Sequence, residues 1–552
     1  MSLAKTVIPF VIVIFVILSS CSNLGSEQDQ TRFRLLDSDF TGIHFNNKLT
    51  ESDTLNYFTY QYMYMGGGVA IGDVNNDGLS DVFFTGNMVE NKLYLNQGDL
   101  RFKDISKEAG LAGDSRWYTG VTFIDINSDG YLDIYLSVSG KNGSKHNQLY
   151  INNQDLTFSE KASEYGIDDG GQSIQSAFFD YDHDGDLDLF VINYPIISFK
   201  TPNTVYRMLK DAADIKNSDH LYRNDGNGKF TDVTNDSGLL NFGLSVSSSI
   251  GDFNQDGWDD IYVSNDFSTP DYLYMNNGDG TFTDRLREST KQTSFYGMGT
   301  DAEDFNNDGL LDLFQVDMAA RDNRRSKANM ASMDPGLFWS TVNNGFHYQY
   351  MYNAFQLNQG IDESGLPIFS NVNWMSGVAS TDWSWAPIAA DFDNDGWKDL
   401  FITNGTRREI NNKDFFKNLE KEKNKGMESP LIEQIQKMPS EEIDNYVFKN
   451  IGGFGFKKAN EDWGLSYKGF SNGTAYGDLD NDGDLDLILN NIDDMAVLFE
   501  NRTSQMKDAH YVKVKLEGDE LNLLGIGAKL TLVAGESRQY MHLNPSKGFQ
   551  SY

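Results

Sequence analysis

One nine-residue pattern, Asp-x-[Asp/Asn]-x-Asp-Gly-x-x-Asp, occurs seven times in the 552-residue chain and constrains its fold more than any other feature. The first copy is Asp73, Asn75, Asp77, Asp81, and the second Asp125, Asn127, Asp129, Asp133. The third is Asp180, Asp182, Asp184, Asp188, and the fourth Asp252, Asn254, Asp256, Asp260. The fifth is Asp304, Asn306, Asp308, Asp312, the sixth Asp391, Asp393, Asp395, Asp399, and the seventh Asp478, Asp480, Asp482, Asp486. A glycine stands at position 6 of every copy. Seven equivalent turns demand a repeat architecture rather than one mixed core.

The spacing matches the needs of calcium. A hard cation takes six to eight oxygens, and side chains at positions 1, 3, 5 and 9 converge if the chain wraps around it. Glycine at position 6 permits the sharp turn. Position 7 offers its backbone carbonyl, so its side chain is free to vary: Leu79, Tyr131, Asp186, Trp258, Leu310, Trp397 and Asp484. Without a cation, three or four carboxylates in one turn repel each other. Up to seven calcium ions are therefore expected as cofactors. The third, sixth and seventh loops carry four carboxylates each and should bind most tightly. Seven divalent ions would reduce the net charge of −36 to about −22. No Glu stands at position 12 and the flanks are not helical, which argues against EF-hands.

The flanks read as short buried strands, such as Gly68–Gly72 before the first loop and Val82–Phe84 after it. Each loop then joins two strands, A and B. A third strand, C, ends in an apolar-x-x-Asn signal, as at Leu93–Asn96, Leu149–Asn152, Leu221–Asn224 and Leu273–Asn276, with weaker versions ending at Asn358, Asn450 and Asn501. A fourth, D, centres on a phenylalanine: Phe102, Phe158, Phe230, Phe282, Phe369 and Phe456. The fold class is all-β, and seven four-stranded units predict a seven-bladed β-propeller. The seventh unit lacks its own D strand. Phe33-Arg34-Leu35-Leu36, followed by Gly42-Ile43 as Phe102 is followed by Gly110-Leu111, is expected to supply it and close the ring.

These repeats resemble the FG-GAP/VCBS repeats of integrin α-chain propellers and of the cartilage acidic protein group, over residues 32–505. Residues 508–552 resemble the start of an ASPIC/UnbV domain, on Val512-Lys513-Val514-Lys515-Leu516, Gly525-Ile526-Gly527-Ala528-Lys529-Leu530 and Gly548-Phe549-Gln550-Ser551. That resemblance implies a small, partial β-domain after the propeller.

The amino terminus reads as an export signal. Lys5 precedes an apolar run from Val7 to Leu18, too short for an ordinary membrane span. The run ends Leu18-Ser19-Ser20-Cys21, which resembles a bacterial lipobox and contains the only cysteine of the chain. Residues 1–20 are then a signal peptide, Cys21 is lipidated, and 21–31 form a tether. Ser22 after the cysteine favours retention in the outer membrane of a Gram-negative bacterium, surface-exposed or periplasmic. The acidic balance disfavours nucleic acid as a partner.

Extra sequence at about 195–218, 318–350 and 406–445 falls between strands B and C. It should crowd the face opposite the calcium loops. Aromatic and basic residues expected on that face are Trp117, Tyr118, Tyr296, Trp339, Trp383, Trp385, Arg321, Arg325, Arg407 and Arg408. They suit a glycan, an acidic one included, or a protein ligand. No zinc spacing, nucleophile elbow or phosphate loop occurs. The leading expectation is thus a lipid-anchored, calcium-stabilised binding or adhesion protein. A polysaccharide lyase or dehydratase, with Arg321, Arg325, His347, Tyr348 and Arg407 as candidate groups, is the enzymatic alternative, and a deep polar central pocket would favour it. An accessory subunit of an outer-membrane complex is the third reading.

Overall fold

A computed structural model describes residues 31–552 apart from 115, 199, 330–333, 428, 507–509 and 520. The export signal and Cys21 lie outside the described residues. Among those described, no helix is long and apolar enough to cross a membrane.

Seven antiparallel four-stranded sheets form a seven-bladed β-propeller. Blade 1 shows the plan: A is Val69–Gly72, B Asp81–Phe84, C Lys92–Asn96 and D Phe102–Asp104. The other inner A strands are Trp117–Ile124, Ser173–Phe179, Ser245–Gly251, Thr300–Glu303, Ser384–Ala390 and Ser471–Gly477. Every B strand begins at the ninth residue of its loop. In all seven blades the C-strand asparagine faces the D-strand phenylalanine, from Asn96↔Phe102 to Asn450↔Phe456. Phe33 faces Asn501 in the same register, so Phe33–Leu35 is strand D of blade 7. The first described strand thereby locks onto the last blade and removes the open edge.

The three extra segments lie between strands B and C, as their positions in the sequence imply. They carry helices Asn203–Asp211 in blade 3, Asn323–Ala328 and Pro335–Asn343 in blade 5, and Lys413–Asn424 and Leu431–Gln436 in blade 6. Residues 511–552 do not stand apart from the propeller. They contribute a hairpin, Lys529–Ala534 with Ser537–His542, laid over the face that carries the acidic A–B loops.

Candidate metal loops and ligand surfaces

Each loop is shaped first by its own backbone. The aspartate at position 1 accepts the N–H of the glycine at position 6 in all seven copies. Two left-handed residues make the wrap. One is that glycine, as in Gly78 (φ 87°) and Gly257 (φ 102°); the other is position 4, as in Asn76 (φ 58°) and His183 (φ 57°). Asparagine, which tolerates this conformation, fills position 4 in four copies.

The ninth aspartate is buried in every loop. One of its oxygens accepts the N–H of position 2, as from Val74 to Asp81. The other accepts the N–H of the C-strand asparagine, as from Asn96. That asparagine also reaches across the blade boundary. Its Nδ2 donates to the carbonyl at position 2 of the preceding blade's loop: Asn152 to Val74, Asn276 to Tyr181, Asn358 to Phe253, Asn450 to Phe305, Asn501 to Phe392, and, closing the circle, Asn96 to Leu479. Asn224 instead reaches Leu187 in its own blade. The sequence displays this asparagine, but nothing local identifies its partner.

Position 4 links neighbouring loops on the same face. Asn76, Gln255, Asn307 and Asn481 donate to the glycine carbonyl of the next loop, and the exposed His183 ring stacks on Trp258 at 3.9 Å.

Three loops bring acidic oxygens within 4.8 Å of one another: Asp180, Asp182 and Asp188; Asp391, Asp393 and Asp399; Asp478, Asp480 and Asp482. These are the third, sixth and seventh, the loops richest in carboxylate. In the third, the Oδ1 atoms of Asp180, Asp182 and Asp186 are buried and accept no hydrogen bond, and Asp393 Oδ1 in the sixth is likewise bare. Burial, then the charges of Asp184 and Asp182, push Asp186 up to about 7. Oxygens left bare and crowded in this way fit a hard cation. The chain's own ammonium groups approach some loops. Lys449 donates to Asp393 and Asp395, and Lys529 to Asp252 at 2.6 Å and to the Gly257 carbonyl at 3.1 Å.

The aromatic and basic set expected on the opposite face is mostly not available to a ligand. Trp117, Tyr118, Trp383 and Trp385 are buried. Trp117 packs edge-on against Tyr60 at 5.3 Å, Tyr118 donates to Gln148, and Trp385 Nε1 donates to the Gly405 carbonyl. Tyr296 is half-buried between Phe267 and Phe295. These side chains begin or precede inner strands, so they point into the channel wall rather than off the face. The basic residues are spent internally. Arg325 is buried and binds Asp382, Glu409 and Glu441; Arg407 binds Asp493 and Glu51, and Arg408 binds Glu51. Arg321 and Trp339 remain exposed, Trp339 at 55%. Trp339 is joined on this face by Leu337 and Tyr348 of the same insertion, and by Val205 and Met208 of the blade 3 insertion. The two helices are tied by Asn203 donating to Thr341 at 3.0 Å.

Of the candidate catalytic groups, Arg325 and Arg407 are bound to separate carboxylates, whereas the rings of His347 and Tyr348 lie 6.0 Å apart. His347 is buried against Thr290, and burial, then Arg287, lowers it to about 4. Two segments of the chain pack into the channel, one from each end. Residues 57–65 cap the insertion side, with Tyr62 packed on Tyr194 at 4.3 Å and Met63 fully buried. Residues 544–552 enter from the side of the acidic A–B loops. Phe549 is fully buried on Trp385, in one apolar cluster with Tyr62 and Met63.

The FG-GAP-like repeat model matches residues 73–136, 136–191, 212–263 and 252–314. Cartilage acidic protein 1 of Homo sapiens is 25% identical over 237 residues, 42% of this chain and 33% of the relative. The Xenopus tropicalis protein is 31% identical over 151 residues, 26% of this chain and 22% of the relative. The chain therefore matches a third or less of the length of these curated relatives. Among solved structures, YCF48 bound to D1 peptide aligns over 79% of this chain and 91% of its own, with a TM-score of 0.37 and 7% identity. The chain thus folds as a seven-bladed propeller, matches FG-GAP-like repeats across blades 1 to 5, and is similar to cartilage acidic protein 1 over two-fifths of its length.

Proposed function

We propose that this protein is a calcium-loaded binding or adhesion module, held at the outer membrane by a lipid on Cys21, that recognises a protein or glycan through its insertion-bearing face. The observation carrying the calcium part is the set of buried, bare aspartate oxygens in the third and sixth loops. Asp180, Asp182, Asp184 and Asp188, with the carbonyl of Asp186, would hold the ion in loop 3, and the matching positions would do so in the other six. The ion would neutralise carboxylates that otherwise repel, and so would fix the A–B turns. The recognition part is supported by the exposed apolar side chains on the blade 3 and blade 5 insertions, with Trp339 foremost. Because Arg325, Arg407 and Arg408 are already paired and Arg321 is the one exposed arginine of the expected set, this face favours uncharged sugar rings or apolar protein side chains over an acidic glycan.

Thermal unfolding of residues 22–552 in calcium, in magnesium and in chelator tests the calcium part. A large rise in melting temperature in calcium, not reproduced by magnesium, is expected, since ions bound only to the folded state stabilise it by mass action. No shift would refute it. Labelled palmitate should enter the full chain in a Gram-negative host, and Cys21→Ser should abolish the label. Glycan and surface-protein arrays, probed with the calcium-loaded protein and with Trp339→Ala, test the face. Equal signals from both proteins would remove Trp339 from the site.

A further inference from the structure

The segment 544–552 is received by the channel in detail. Along its nine residues it meets the inner strand of every blade. Asn544 donates to the Ile250 carbonyl of blade 4, and Gln175 of blade 3 donates to Ser546. Thr300 N–H of blade 5 donates to the Gly548 carbonyl, and Phe549 lies on Trp385 of blade 6. Val121 N–H of blade 2 donates to the Gln550 carbonyl, and Tyr552 N–H donates to the Val69 carbonyl of blade 1. Ser551 also lies against Gly473 of blade 7.

Two features of the wall are matched to this segment, although Asp301 Oδ2 also accepts the Ala389 N–H of blade 6. Strand A of blade 5 reads Thr-Asp-Ala-Glu, and it is the only inner strand that carries charged residues. Asp301 and Glu303 are both buried. Lys547 answers them, bonding Glu303 and standing 3.6 Å from Asp301. A buried carboxylate pair on a channel wall is costly unless a cation meets it. The second feature is Gly68. A Cβ there would stand 1.8 Å from the Gln550 carbonyl oxygen, so the missing side chain makes room for the segment's backbone.

We infer that the central channel is a peptide-binding site for an extended segment that presents a lysine to Asp301 and Glu303 and, two residues later, an aromatic ring to Trp385, and that residues 544–552 occupy it in cis. Its ligand class is a lysine-bearing extended peptide, and a second chain carrying the same pattern would compete for it.

The test uses the full chain with a protease site built into the exposed hairpin turn at Gly535–Glu536. After cleavage, a fluorescein-labelled peptide of residues 537–552 is titrated and followed by anisotropy. It should exchange into the channel. Competitor peptides with Lys547→Met or Phe549→Ala should be at least tenfold weaker than the natural sequence. Carrying Asp301→Asn and Glu303→Gln in the protein should erase the preference for lysine. Equal competition by the methionine peptide overturns the lysine site. A cut protein that keeps its native circular dichroism but takes up no peptide overturns the channel as a receptor. If the cut protein unfolds, hydrogen exchange of the uncut chain decides. Lys547→Met and Gly68→Ala should each speed exchange at Val121 and Thr300 at least tenfold while B–C strand amides stay protected. Unchanged rates at both positions refute the proposal.

Discussion

Replacing Asn276 by aspartate changes one atom and should cost more than most single substitutions on this protein. Asn276 is buried, and its Nδ2 donates to Tyr181 O at 2.8 Å and to Asp259 O at 3.3 Å, while its Oδ1 accepts the Gly278 N–H at 2.9 Å. Asn276→Asp keeps the last bond and loses the other two. It also sets a carboxylate against two carbonyl oxygens at the boundary between blades 3 and 4. Two lost bonds amount to about 2 kcal/mol, and the unpaired buried charge brings the total to about 3–5 kcal/mol at neutral pH. The sign of the pH dependence follows. The introduced carboxyl has a folded-state pKa raised above its unfolded value near 4, so the penalty is complete above the raised value. It fades as pH falls towards about 4, because the protonated group donates one bond again. Urea unfolding at fixed calcium, at pH 7.5 and at pH 4.5, gives both numbers. Asn277→Asp is the control. Asn277 is exposed and bonds only Thr281 and Thr283 of its own turn, so the change there should stay within about 0.5 kcal/mol. If the two variants unfold alike at pH 7.5, the asparagine is not an inter-blade link and the account of blade cohesion fails.

Four further outcomes are expected. Asp184→Asn in the third loop should reduce the calcium-dependent rise in melting temperature more than Asp77→Asn in the first, read by scanning calorimetry with and without chelator. Arg325→Met leaves Asp382 and Glu409 buried without their cation and should destabilise by about 3–5 kcal/mol in urea titration. Trp385→Ala, in the packed channel, should cost about 3–5 kcal/mol, whereas Trp339→Ala, exposed on its insertion, should stay within about 0.5 kcal/mol in the same assay. His220 is raised to about 9: burial opposes its charge, but the hydrogen bond and charge of Asp169 prevail. Its contribution is therefore complete below about pH 6.5 and lost as pH rises through 9, and His220→Gln should flatten that slope of stability against pH.

The propeller was legible because its signals are local and repeated. A turn that needs glycine at position 6 and a strand that starts at position 9 declare themselves within a dozen residues. Even the closure was legible, since Phe33 is followed by the same Gly-apolar step that follows Phe102. What escaped was every role defined by a distant partner. The C-strand asparagine stands out by its recurrence, yet the carbonyl it holds lies 78 residues away for Asn152 and 383 for Asn96. The aromatic residues before strand A were misplaced for the same reason. An aromatic next to a loop reads as exposed until its cover is known, and the cover of Trp117 is Tyr60, from the segment that caps the channel. Arg325 looked like bait for an anion because its carboxylates sit on other blades and insertions.

The two channel seals differ in chemistry, and the difference bears on where recognition takes place. The insertion-side cap is made of tyrosine and methionine side chains from residues 57–65, and it merges with the apolar cluster that also holds Phe549. Apolar packing of this kind is insensitive to charge and does not select one entering sequence over another. The seal on the acidic-loop side rests on a lysine between two buried carboxylates and on a backbone fitted against Gly68. Such a contact is costly to break and fails for a neutral side chain, so it does discriminate. With the axis filled, a partner of the proposed kind would meet the rim. On the insertion side that rim presents Trp339, Tyr348 and Met208. On the other side it presents the ring of acidic loops, over which the 529–542 hairpin already lies. Under the proposed reading, broad-surface recognition would fall to the insertions, and sequence-selective recognition to the channel.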